Sequence, residues 1–230
     1  MRAVCGIVSV LCRSDGASAP SAEWLEEAFA AALAELPSEA SGEDWGACLR
    51  DAASHLEIID RSLRPLSAVL LLVENETLWS RIVEVCDLVT EAFEKAKAHV
   101  DEAPAGLSSA AVEQLNAAIV RVKDVVWSLR EDRVGLARAV RDLAPGSERH
   151  SLKTLAAVEM VLSAMDRLEV RGRDSSGVHL MVPGEVDLAD RVLSFQSRLE
   201  EPFFRSGAIR ATQEGSVSFV YKTAAEVGEL

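Results

Sequence analysis

The stretch Leu168 to Met181, LEVRGRDSSGVHLM, decides how the rest of the chain is read. Its first residues finish an amphipathic helical run, Arg171-Gly172-Arg173-Asp174-Ser175-Ser176-Gly177 turns the chain, and the residues from Val178 are apolar. Glycine tolerates backbone conformations closed to other residues, and short Asp and Ser side chains bond nearby backbone amides, so glycines bracketing such residues predict a tight turn. Helix, turn and strand are therefore expected in succession. Upstream, Ser151 caps a helix from Leu152 to about Glu169 whose inward face is Leu155, Val158, Val161, Leu162, Met165 and Leu168. Downstream, the strand Val178 to Val182 ends at Pro183-Gly184. A helix from about Val186 to Leu199, a strand from Val217 to Tyr221 and the start of a further helix from Ala224 complete the chain.

At the other end, Ala3 to Leu11 is rich in Val and Ile and stops at Arg13-Ser14-Asp15-Gly16, the pattern of a buried strand followed by a loop. Between the two ends the period is helical throughout. Ser21 is placed to cap a helix running to about Leu36, and Asp44 a second whose stripe holds Trp45, Cys48, Leu49, Ala52, Leu56, Ile59 and Leu63. Pro65 interrupts the pattern, which resumes from Leu66 to Val100 with a break expected near Asn75. A third long element is expected after Ser108 or Ser109, with Leu115, Ala118, Ile119, Val122, Val126, Leu129, Leu136 and Val140 inward, ending at Pro145-Gly146. Trp45, Trp79 and Trp127 are expected in the core of this bundle. The charged run Arg130-Glu131-Asp132-Arg133 is expected on its solvated face.

Strands thus occur only at the two ends of the sequence. The economical explanation is an α+β domain interrupted by a large inserted all-α bundle: residues 1–16 give its first strand, 17–148 the bundle, and 149–230 its continuation. The chain has 230 residues, 49% of them hydrophobic and only 5% aromatic, with enough length to bury a core of this kind. A net charge of −13 would repel a phosphate backbone, so nucleic acid is not an expected partner. The longest apolar run, Leu66 to Val73, falls far short of the roughly 20 residues that span a bilayer, so no membrane association is expected. Cys5, Cys12, Cys48 and Cys86 lack the spacing of a zinc site, and no metal or cofactor is expected. Reduced thiols suit a cytoplasmic protein.

With the bundle excised, what remains is a strand Cys5-Gly6-Ile7-Val8, a helix ending in RLEVRGRDSSG and a strand VHLMV. This resembles the class II, or N-terminal-nucleophile, glutamine amidotransferases. Within them it is most similar to the glutaminase domains of glutamine-dependent fructose-6-phosphate aminotransferases, whose corresponding turn reads RGYDSAG. This chain has Arg173 and Ser176 where that turn has tyrosine and alanine.

The resemblance implies a catalytic nucleophile at Cys5, whose thiolate attacks the side-chain amide of glutamine while the free α-amine of the same residue acts as general base. An α-amine suits that role because its unperturbed pKa is about 7.7 to 8.0. The resemblance further implies that Arg171 and Gly172 frame the substrate pocket, and that Asp174, Ser175 and Gly177 hold the turn. Ammonia would pass to a sugar phosphate bound by a downstream domain, in a homodimeric assembly. Freeing the Cys5 amine requires removal of Met1-Arg2-Ala3-Val4. The family's HTRWA-type and HNG-type segments do not occur within these residues, so the expected chain is the N-terminal portion of an enzyme that continues past Leu230. The alternative expectation is an inactive regulatory or interaction module, in which an amidotransferase remnant carries a bundle that docks a protein partner.

Overall fold

The computed structural model describes residues 9, 18–36, 44–102, 108–143, 145–146, 148–169, 176–182, 209–211 and 216–223. These form a mostly helical arrangement with one small antiparallel sheet, an α+β composition. The chain divides into two compact units, Leu11–Glu159 and a second that combines Met1–Val10 with Met160–Leu230. Fully buried apolar side chains among the described residues all fall between Leu25 and Ala156, within the first unit.

Several helices of the first unit begin where a side-chain oxygen accepts from an exposed backbone amide. Helix α1 (Ala22–Ala34) is capped by Ser21, whose hydroxyl accepts from the Trp24 amide at 3.1 Å, and it buries Leu25, Phe29 and Ala32. Helix α2 (Trp45–Ser62) differs from expectation at its start. Asp44 sits in helical geometry, and it opens the helix through its carbonyl, which accepts from the Ala47 and Cys48 amides, with no side-chain cap bond. Pro65 separates α2 from α3 (Leu66–Glu74), a short helix buried on most sides. At Asn75 the backbone leaves helical geometry, with φ −129° and ψ 87°, and its side-chain oxygen accepts from the Leu78 amide at 3.0 Å to start α4 (Glu76–Glu102). The expected interruption near Asn75 is thus a cap that redirects the chain.

Helix α5 (Ser109–Trp127) is capped by Ser108, whose hydroxyl accepts from the Ala111 amide at 3.2 Å. Losing such a cap costs helices about 1 kcal/mol. Ser108→Ala should therefore lower the unfolding free energy by about 1 kcal/mol in urea titrations, while Ser108→Asp, which keeps an acceptor there, should lie close to the parent.

The third long element is not one α-helix. After α5 the chain widens into a π-helical segment, Ser128–Gly135, and then narrows into α6 (Leu136–Leu143). The cause is legible in the packing. At α-helical spacing the inward position after Leu129 would fall on Asp132 or Arg133, whereas the next fully buried side chain is Val134, five residues on and 1% exposed. A π turn, with its i to i+5 bonding, supplies that longer step. Two sequence expectations are corrected here. Arg133 leaves the solvated face, its side chain only 12% exposed, and Trp127, one step from the inward pair Val125 and Val126, is 52% exposed. Trp45 is half-buried and Trp79 buried.

Helix α2 packs most extensively against α5, and also against α1; α3 lies against α6, and α4 against α5 and the π segment. The closest approach of α2 and α5 is at Gly46, where a Cβ would meet the Leu115 amide nitrogen at 2.9 Å.

Helix α7 (Arg149–Glu169) contains the boundary between the units. Its first residues bury Leu152 and Ala156. The second unit contributes strands β1 (Ser176–Val182), β2 (Ile209–Ala211) and β3 (Val217–Thr223), ordered β1-β3-β2 and antiparallel throughout. In β1, half-buried Val178 and Leu180 alternate with exposed His179 and Met181, the two-sided pattern of a sheet with one covered face. The expected strands Val178 to Val182 and Val217 to Tyr221 are present and slightly longer. Ala3 to Leu11, the helix from Val186 and the run from Ala224 lie outside the described residues, Ser9 excepted.

Candidate functional site

Of the residues singled out for catalysis, for substrate binding or for holding the turn, Cys5, Arg171, Gly172, Asp174 and Ser175 lie outside the described residues. What is described are the two elements that flank the turn. Helix α7 ends at Glu169 and β1 begins at Ser176, so the six residues between them join a helix to an outer strand of the sheet. The strand starts two residues earlier than the sequence suggests. Gly177 is consequently its second residue, paired with Lys222 in register, instead of closing the turn.

Next to Gly177 on the same face of β1 is His179, whose Nε2 lies 2.8 Å from the Ser218 hydroxyl on β3. His179 is the register partner of Val220, so the pair is diagonal, within reach of side chains of this length. Ser218 in turn faces Arg210 of β2 in register. The exposed side of β1 thus places one polar side-chain contact, His179 to Ser218, beside the apolar Met181.

Neither described thiol has the character of a nucleophile. Cys86 is buried in α4, and desolvation pushes its pKa up to about 11 despite the nearby Arg130 guanidinium. Cys48 is half-buried, and desolvation together with Asp44, Glu35 and Asp51 also raises its pKa. Reactive cysteines need stabilised thiolates, which these surroundings oppose. Among the described residues, no group of three or more His, Cys, Asp or Glu is arranged to hold a metal ion, and no helix is long and apolar enough to cross a membrane.

The densest polar constellation lies in the bundle, and sequence reasoning missed it. Asp60, on α2 beside the buried Ile59, has a side chain only 5% exposed. One carboxylate oxygen accepts from Ser128 Oγ at 2.8 Å and Arg133 Nε at 2.9 Å. The other accepts from Arg64 Nε at 3.1 Å and Arg64 Nη2 at 2.6 Å. Burial pushes the Asp60 carboxyl up, but the hydrogen bonds from Arg64 and Ser128 and the charge and hydrogen bond of Arg133 outweigh it and hold the pKa below the ordinary carboxylate value. A carboxylate so saturated with donors is a poor base; its chemistry is that of an anchor. The available signal was the spacing of Asp60 and Arg64, four residues apart across the C-terminal end of α2.

A cleft of about 450 Å³ opens between the start of α4 and α6, lined by Glu76, Trp79, Ser80, Arg138, Arg141 and Asp142. The Arg138 and Arg141 guanidinium carbons lie 5.7 and 5.2 Å from the Trp79 ring centroid, cation–π geometry for both. Arg141 also pairs with Glu76 at 3.2 Å. With two basic and two acidic side chains and a tryptophan only 6% exposed, the cleft offers a ligand neither net charge nor an aromatic face.

No protein-family model, no curated protein and no solved structure matches this chain.

Proposed function

We propose that the unit combining Met1–Val10 with Met160–Leu230 is part of an N-terminal-nucleophile glutamine amidotransferase domain, interrupted by the bundle, which hydrolyses the amide of glutamine and supplies ammonia to a sugar phosphate elsewhere in the whole protein. What supports this is the sequence RGRDSSG, whose first five residues fall between the end of a long helix and the start of an outer strand of an antiparallel sheet, together with CGIV in the segment grouped with it. In this reading Cys5 is the nucleophile and its own α-amine the base. Arg171 and Gly172 border the glutamine, while Asp174 and Ser175 tie the turn. The protein acts in the cytoplasm, without cofactor, as a homodimer.

Glutamine amide hydrolysis by this route leaves two readable marks. Mass spectrometry of the mature protein should find an N-terminus at Cys5, because only then is the amine free to accept the thiol proton. The protein, taken with its natural reading frame beyond Leu230, should release glutamate from glutamine. Cys5→Ala should abolish that release, and Arg171→Ala should raise KM more than it lowers kcat. An N-terminus at Met1 or Arg2 in a protein that still hydrolyses glutamine would exclude the mechanism; absence of hydrolysis with Cys5 exposed would exclude the activity.

A second reading, an inactive interaction module whose bundle docks a protein partner, is favoured by one face of α5. Val120 and Trp127 are seven residues apart, two turns along the same side, and 59% and 52% exposed. Absence of glutamate release accompanied by an intact, folded bundle is the outcome that selects it.

A further inference from the structure

Ser128 and Arg133 are five residues apart, yet both donate to the same oxygen of Asp60, at 2.8 and 2.9 Å. In an α-helix each residue advances about 100°, so positions i and i+5 point about 140° apart and cannot readily converge on one acceptor atom. In a π turn, bonded i to i+5, the same two positions come much closer to one side of the helix. We infer that Asp60 is a latch that selects the π register of Ser128–Gly135 over the α register, and thereby sets the rotation of α6.

The two registers differ in what they present to the bundle. In the π register Val134 is inward and 1% exposed, Arg133 is held by Asp60, and α6 arrives with Arg138 and Arg141 over Trp79. Rewinding the segment as α-helix while α5 stays fixed turns everything after it by about one residue step, roughly 100°. Val134 then leaves the core, Asp132 or Arg133 takes its inward place, and both guanidiniums leave the indole. Arg64 touches the same carboxylate from just past the C-cap of α2, four residues on, and so stabilises its charge without reporting on register. The latch is therefore the Ser128 and Arg133 chelate.

The test uses the full chain labelled with ¹⁵N and ¹³C. Hα-to-amide Overhauser contacts across residues 128–135 distinguish i to i+5 from i to i+4 winding, and the Trp79 indole N–H, which donates to the Leu72 carbonyl, reports the arrival of α6. The double variant Ser128→Ala/Arg133→Met keeps side-chain bulk and leaves Asp60 paired to Arg64. It should exchange the i to i+5 contacts for i to i+4 contacts and shift the indole resonance, whereas Arg64→Met should change neither. Deleting exposed Glu131 removes the extra residue itself. It should give i to i+4 contacts with the indole resonance in its parental place, because α6 then keeps its rotation.

Retention of i to i+5 contacts in the double variant overturns the latch, as does an equal change in Arg64→Met. Collapse of the double variant to an unfolded chain would also overturn it, since the chelate would then hold the bundle together instead of choosing its register.

Discussion

Asp60→Ala should destabilise the bundle by about 3 to 5 kcal/mol in urea unfolding at neutral pH, the range for breaking a buried ion pair by removing one partner. The size follows from what is left behind. Arg133, its side chain 12% exposed, loses its carboxylate and cannot reach water without unwinding the π segment, and it cannot shed its proton. Arg64, 60% exposed, simply turns to solvent and contributes little to the loss. The pH dependence has a definite sign. A carboxylate whose folded pKa is lowered contributes stability that is fully present above its unfolded pKa, about 3.9, and is lost as pH falls through the folded value. Parent and variant should therefore differ most at neutral pH and converge as acid titrates the parent. A gap that widened on acidification would place Asp60 in the opposite role.

The same cluster marks the limit of what the sequence discloses. Helices α1, α5 and the Asn75 junction were legible because hydroxyl and amide caps precede apolar stripes at steps of three and four, and side-chain bonds at Ser21, Asn75 and Ser108 supply the partners that such caps predict. The π segment was hidden by a coincidence of spacing. Leu129, Leu136 and Val140 stand seven and four apart, as they would on an uninterrupted α-helix, so the inserted step passes unnoticed unless Val134 is counted as inward. The stretch between them, Arg130 to Arg133, is charged and reads as solvated face; its burial depends on an acceptor from another helix, which periodicity along one helix cannot see. A lone aspartate in the α2 stripe reads as an exposed residue for the same reason.

The strands follow a similar rule. Strands β1 and β3 each have seven residues and were recognisable as apolar runs with turn residues at their ends. Strand β2, Ile209–Ala211, is too short for alternation to register and exists because β3 offers it a ladder. At the candidate glutamine site, sequence supplied the turn motif and its position between helix and strand, while the start of β1 at Ser176 was set by pairing with Thr223 across the sheet. Local turn propensity had favoured a later start, because Ser and Gly are as common in turns as they are tolerated at the ends of strands.

Gly46→Ala should destabilise the bundle by about 1 to 3 kcal/mol although it adds only a methyl group and replaces glycine within a helix. Helical propensity alone predicts the reverse, a gain of roughly 0.5 to 1 kcal/mol. The geometry decides between them. A Cβ at position 46 would sit 2.9 Å from the Leu115 amide nitrogen, 3.1 Å from the Gln114 carbonyl carbon and 3.2 Å from the Gln114 Cβ. Two of these three are backbone atoms inside α5, so relief comes only by moving one helix off the other along the most extensive interface of the unit. Close-packed interiors resist such shifts. Gly135→Ala is the matched control: its Cβ would meet the Arg130 carbonyl oxygen at 3.4 Å and a flexible Glu131 carboxylate at 3.8 Å, ordinary contacts that need no helix to move. That substitution should raise stability by a few tenths of a kcal/mol or more through the lost freedom of the unfolded chain. Thermal unfolding of the two variants should thus move in opposite directions, and a shift of both toward higher temperature would show that α2 and α5 do not meet at Gly46.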